Sequence, residues 1–219
     1  MNPQNSTPEI LTLNTKGVGT QQIENQINEF FPDIKVRRMD WDSTRGKWDF
    51  DKIIESFEKE EVQILVGTQM VVKGLDFKNV LLVGVINADH ILNFPDFRSH
   101  ERSYQMLCQV AGRAGRSDQK GKVMIQTYDP ENLTLKQVIE NDYEGLFNIQ
   151  KKERVQYHYP PYYRMIKITF KCRQFDVINK SSNWFLNVLK QSYNGSILGP
   201  TFPAVSRIRN FYHKELLVK

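Results

Sequence analysis

Only two cysteines occur in the chain, Cys108 and Cys172, far apart and without the close pairing that zinc ligands need. Both fall in apolar, periodic stretches, so the expectation is two buried thiols in a reducing compartment and no metal site. No apolar run approaches the roughly 18 residues that a membrane-crossing helix requires, and no signal-peptide pattern opens the chain. The phosphate-cradling string Gly-x-x-x-x-Gly-Lys-Ser/Thr is missing, as is a metal-holding Asp-Glu-x-His box. There are no repeats and no low-complexity segments. These absences exclude a membrane span, a disulfide scaffold, a zinc ribbon and a self-sufficient P-loop ATPase. They lead to the expectation of a soluble, cytoplasmic protein.

What is present is unevenly distributed. Hydrophobic residues make up 40% of the 219, enough for a real core. Residues 1–150 carry 17 basic and 22 acidic side chains, whereas residues 151–219 carry 13 and 3, a balance of +10. A cationic stretch of this kind suits a polyanion such as nucleic acid; the competing reading is a solvated surface with no partner.

Apolar periodicity divides the chain into alternating elements. Residues 1–16 are polar and weakly patterned, and are expected to be a disordered or extraneous lead. Ile23, Ile27, Phe30 and Phe31 form a helical stripe that Pro32-Asp33 ends. Ile34 and Val36 read as a strand, and Phe50, Ile53, Ile54 and Phe57 as a helix. Short apolar runs at 62–66 and 80–86 read as buried strands. Residues 98–110 read as a helix, 122–127 as a strand and 131–154 as helices. Alternating strands and helices with wholly apolar strands predict an α/β domain over 17–154, a parallel sheet covered by helices on both faces. In such sheets the loops at the carboxyl ends of strands carry the chemistry, here 40–47, 67–77, 87–97 and 112–121.

After Pro160-Pro161 the pattern changes. Ile166, Ile168 and Phe170 alternate as on a half-buried strand. A helix with Trp184, Phe185, Val188 and Leu189 follows, then strand-like pieces at 196–198 and 212–218. This predicts a small, basic α+β domain over 155–219. Because Lys219 falls within a strand-like piece, the domain is expected to continue.

The most informative string runs from Gln109 to Arg116. Arg113 and Arg116 are three apart, each preceded by a glycine that permits close backbone approach. The guanidinium fork fits phosphate, and such a pair suits the γ-phosphate of a nucleotide held by a neighbouring lobe. A basic, glycine-rich turn after a helix is the alternative. In the second string, Val66 to Phe77, Thr68 and Gln69 sit at a strand end as neutral hydrogen bonders suited to nucleic-acid phosphates. Asp76 follows Gly74, placed to orient a ribose or a motif arginine. The third string, Pro95-Asp96-Phe97-Arg98-Ser99-His100-Glu101-Arg102, reads on its own as a solvated helix start.

Taken together, in this order and spacing, the strings resemble the second RecA-like lobe of superfamily 2 helicases, and within them the primosomal replication-restart helicases, the PriA (primosomal protein N′) family. The resemblance is carried by Gly17-Val18-Gly19-Thr20, Arg38-Met39-Asp40 with Asp42 and Thr44, Gly67-Thr68-Gln69-Met70 with Lys73-Gly74, Asp96-Phe97-Arg98 with Glu101-Arg102, Gln109 through Arg116, and Pro160-Pro161. It covers nearly everything from about residue 17, and 94–116 is its most specific stretch.

The resemblance implies roles. Arg116 becomes the arginine finger, with Arg113 assisting and Gln109 supporting the nucleotide interface. Gly74, Asp76 and Gly112 lie on the nucleotide side, and Thr68, Gln69 and Lys73 on the DNA backbone. ATP with magnesium is expected to be held mainly by a first lobe that this chain lacks, so ATP hydrolysis unaided is not expected. The family carries zinc, which is not expected here. The implied partners are forked or single-stranded DNA, single-stranded-DNA-binding protein and primosome proteins. Two alternatives stand beside this reading: a non-motor DNA- or protein-binding module with a vestigial helicase lobe, and a different superfamily 2 motor, against which the 96–102 string argues.

Overall fold

The computed structural model describes residues 19–40, 42–44, 49–68, 71, 80–112, 114 and 121–219. The chain forms two compact units, one from 1–88 with 106–127 and the other from 89–105 with 128–219.

In the first unit, α1 (Thr20–Phe30) leads to β1 (Val36–Met39), α2 (Asp49–Glu58) and β2 (Ile64–Gly67). Strand β1 pairs in parallel with β2, from Val36 opposite Ile64 to Met39 opposite Gly67. Met39 is fully buried, and Phe50, Ile53, Ile54 and Phe57 pack on it together with Leu65, Val71 and Val80. One face of α2 therefore supplies most of this core, as its i, i+3, i+4, i+7 spacing requires.

A second parallel pair joins β3 (Leu82–Val85) to β4 (Lys122–Ile125). Residues 80–86 do not form the fully buried strand expected from their apolar run. Val83 and Val85 are half-buried, but Leu82 is 56% exposed and Met124 opposite the same face is 54% exposed. An apolar run makes both faces of a strand suitable for burial; it does not say what covers them. The two free cysteines likewise are part-exposed rather than buried.

The second unit begins with a short helix, α3 (Asp89–Leu92), and the start of α4 (Ser99–Ala111), whose last turns belong to the first unit. Helices α5 (Leu133–Glu140) and α6 (Tyr143–Gln156) follow. Asn132 caps α5 by accepting from the Thr134 N–H at 3.0 Å, and Asp142 caps α6 by accepting from Gly145 at 2.8 Å. Between them Asn141 ends α5 in the left-handed conformation.

The C-terminal part is an antiparallel sheet of β5 (Ile166–Cys172), β6 (Ile197–Thr201), β7 (Arg207–Ile208) and β8 (Phe211–Val218), packed against α7 (Phe175–Ser192). This is the small α+β arrangement that the alternating residues anticipated. Helix α7 buries Ile178 and Ser182 and sets Phe185 edge-on to Phe170 at 5.6 Å, while Trp184 points away, 66% exposed.

Candidate functional site

The last register pair of β1 and β2, Met39 and Gly67, places Asp40 and Thr68 side by side at the carboxyl end of parallel strands, where ligands of open α/β sheets bind. Gly67 is required for this approach. A Cβ there would collide with the Met39 carbonyl and the Val71 side chain. Thr68 is exposed, and its carbonyl accepts from the Val71 N–H at 3.1 Å.

Among the described residues, Asp40 is a tightly held carboxylate, only 8% exposed. Thr20 Oγ1 donates to its Oδ2 at 2.5 Å, the Ser43 N–H donates to Oδ1 at 2.9 Å, and Arg38 Nε lies 3.4 Å away. Burial works against its charge, but the Thr20 and Ser43 hydrogen bonds and the Arg38 guanidinium outweigh burial and hold its carboxyl below the ordinary value. Thr44 caps the turn by donating to the Asp40 carbonyl at 2.6 Å. Two sequence strings, one around Thr20 and one around Asp40, thus meet at a single side chain, although sequence reasoning gave neither residue a role.

Among the expected nucleotide-side residues, Gln109 is exposed on the last turn of α4, and Gly112 follows the helix with its N–H donating to the Cys108 carbonyl at 2.9 Å. Helix α4 therefore runs directly into the arginine string. Arg113 and Arg116, and likewise Gln69, Lys73, Gly74 and Asp76, lie outside the described residues.

The string before α4 is not a plain solvated helix start. Asp96 accepts from the Arg98 N–H at 2.9 Å, and its other oxygen faces Arg102 Nη1 at 2.9 Å. Burial disfavours the Asp96 charge, but the Arg98 hydrogen bonds and the Arg98 and Arg102 charges prevail and lower its proton affinity. Phe97 stacks on Tyr159 with centroids 4.8 Å apart and planes 13° from parallel, and the Arg98 and Arg154 guanidinium carbons lie 5.2 and 5.1 Å from its ring. Arg154 Nη2 reaches Glu101 Oε1 at 2.5 Å, and Nη1 donates to the Pro160 carbonyl. Both ends of the string are thereby fastened to residues 154–160. Sequence spacing carries no trace of the Glu101–Arg154 pair.

A family model described as the helicase conserved C-terminal domain matches residues 10–118. Replication restart protein PriA of Bacillus subtilis is 38% identical over 205 residues, covering 93% of this chain and 26% of its own length. The Synechocystis protein of that name is also 38% identical, over 93% of this chain and 25% of its own length. That of Chlamydia trachomatis is 33% identical over 99% of this chain and 30% of its own. The chain thus spans roughly a quarter to three tenths of these relatives. With a helicase C-terminal match over residues 10–118 and relatives of one name along nearly its whole length, the chain belongs to the PriA replication restart family.

Proposed function

We propose that the chain is the second motor lobe, 17–154, and the basic C-terminal domain, 155–219, of an ATP-dependent DNA helicase that acts in replication restart and primosome assembly at stalled forks. The observation that carries this reading is the setting of α4. The helix is held at its start by the Asp96–Arg102 and Glu101–Arg154 contacts and leads without interruption into Gly112.

On this reading Arg116 acts as the arginine finger and Arg113 assists. Negative charge builds on the transferring phosphoryl oxygens in the transition state, and a guanidinium aimed there stabilises it. Gln109, Gly74, Asp76 and Gly112 border the nucleotide. Thr68, Gln69 and Lys73 take the DNA backbone, a role supported by the place of Thr68 at a carboxyl strand end beside Asp40. ATP, when bound, supplies the phosphoanhydride; it and its magnesium are held mainly by the facing first lobe, so this chain does not turn over ATP alone. Zinc belongs to parts of the family outside these residues. Single-stranded-DNA-binding protein and primosome proteins are the further partners, in the cytoplasm.

The test is DNA-stimulated ATP hydrolysis by this chain, by a separately produced first lobe from a PriA relative, and by the mixture. Turnover confined to the mixture is expected. Turnover by this chain alone overturns the reading. A silent mixture whose DNA binding is intact favours a non-motor binding module instead.

A further inference from the structure

We infer that the tip of the β7–β8 hairpin is a clamp for the phosphodiester backbone of duplex DNA. The inference rests on the proposal that the C-terminal domain binds DNA, and assigns that binding to one surface. Arg207 pairs with Tyr212 and Ile208 with Phe211, so the turn consists of Arg209 and Asn210 alone. Both are left-handed, with φ of 49° and 65°, which is the mirror-image turn that Asn-Gly adopts most readily. Arginine is a poor occupant of the first of these positions, where its Cβ is crowded. Its presence puts a guanidinium at the apex of a rigid turn.

Three more cations surround the tip. Lys171 Nζ lies 4.6 Å and Arg173 Cζ 5.0 Å from the Phe211 ring centroid, and Arg207 Cζ lies 5.0 Å from that of Tyr212. Arg207 also donates to the Asn210 side-chain oxygen at 3.5 Å. Among the described residues none of these four exposed cations forms an ion pair, whereas Lys167 on the same sheet is satisfied by Glu215 at 2.6 Å. Clustered like charges repel, and a polyanion relieves that repulsion. The rings at the tip hold cations rather than standing bare as platforms for unstacked bases, which points to backbone rather than base recognition. Because successive strand residues face opposite ways, Lys171 and Arg173 lie on the Phe211 side and Arg207 on the Tyr212 side. Charge on both sides of a ribbon fits the two phosphate rows of a duplex.

The affinity of the chain for a short duplex of arbitrary sequence is measured by fluorescence anisotropy over a range of salt. The variant combines Lys171→Ala, Arg173→Ala, Arg207→Ala and Arg209→Gly, the last keeping the turn. Each lost phosphate contact removes about 0.9 from the slope of log affinity against log salt, so the slope is expected to fall by about 3 to 4. Lys180→Ala with Lys190→Ala, on exposed positions of α7, is expected to leave it unchanged. If the fourfold variant does not fold, Arg207→Ala with Arg209→Gly is measured, with an expected fall of about 2. An unchanged slope in the folded hairpin variant, or an equal loss in the α7 variant, overturns the clamp while DNA binding by the domain stands. Binding of single strands but not duplex also overturns it. No DNA binding at any salt overturns both the clamp and the DNA role of the domain.

Discussion

Arg154 and Glu101, 53 residues apart in the chain, meet at 2.5 Å, with the guanidinium carbon also 5.1 Å from the Phe97 ring centroid. Their side chains are 15% and 31% exposed, so neither charge is fully in water once its partner is gone. Arg154→Ala is expected to destabilise the second unit by about 1–3 kcal/mol, chiefly through the carboxylate left unpaired. Arg154→Lys is expected to recover little of this, because an ammonium cannot bond Glu101 and the Pro160 carbonyl through a planar fork. Urea denaturation of the two variants measures both effects; equal stability of wild type and Arg154→Ala would remove the pair from the account.

Asp96 links stability to pH. Its folded proton affinity is lowered, relative to an unfolded pKa of about 3.9. Falling pH therefore protonates the unfolded chain first. The contribution of the ionised carboxylate is fully present above the unfolded value and is lost as pH drops through the folded one. Asp96→Asn is expected to cost more stability near pH 7 than near pH 3. A penalty equal at both pH values would mean that the charge is not what Arg98 and Arg102 recognise.

Gly67→Ala forces either the Met39 carbonyl or the Val71 side chain to move. Overpacking of this kind costs about 1–3 kcal/mol. The strain falls on the strand end that presents Thr68, so a thermal melt is expected to register a loss and DNA affinity is expected to fall with it. An unperturbed melt is the contrary result.

If the proposed motor role holds, Arg116→Ala in the full-length parent reduces DNA-stimulated ATP turnover by about 10³–10⁵-fold, the range of an arginine finger. Nucleotide affinity is expected to change far less, since the guanidinium acts on charge that develops during transfer. A loss within about twofold would assign the finger elsewhere.

Much of the architecture was legible in local pattern. The helix expected over 98–110 is Ser99–Ala111, and the strand expected over 122–127 is Lys122–Ile125. Such elements follow from periodicity and from the glycines and prolines that bound them. Periodicity reports which residues share a face and not what meets it, so the exposure of Leu82 and Trp184 was not readable. The two-residue strand Arg207–Ile208 has no period to detect. At the site, the glycine-arginine spacing of 112–116 and the strand-end Thr68 are local features. The Thr20–Asp40 and Glu101–Arg154 contacts join residues 20 and 53 positions apart, and only the folded chain brings them together.

Strand β8 is hydrogen-bonded to β5, β6 and β7, and those three pair with nothing else among the described residues. Its residues, 211–218, follow all of its partners in the chain. During synthesis, which adds about 5–20 residues per second, β5, β6 and β7 must therefore emerge from the ribosome before any of them has a neighbour. Helix α7, whose hydrogen bonds are local, can form while it waits; the sheet can close only when its central member arrives. This part of the chain is thus at its most vulnerable to misassociation as a nascent polypeptide, in the seconds before residue 218 is free.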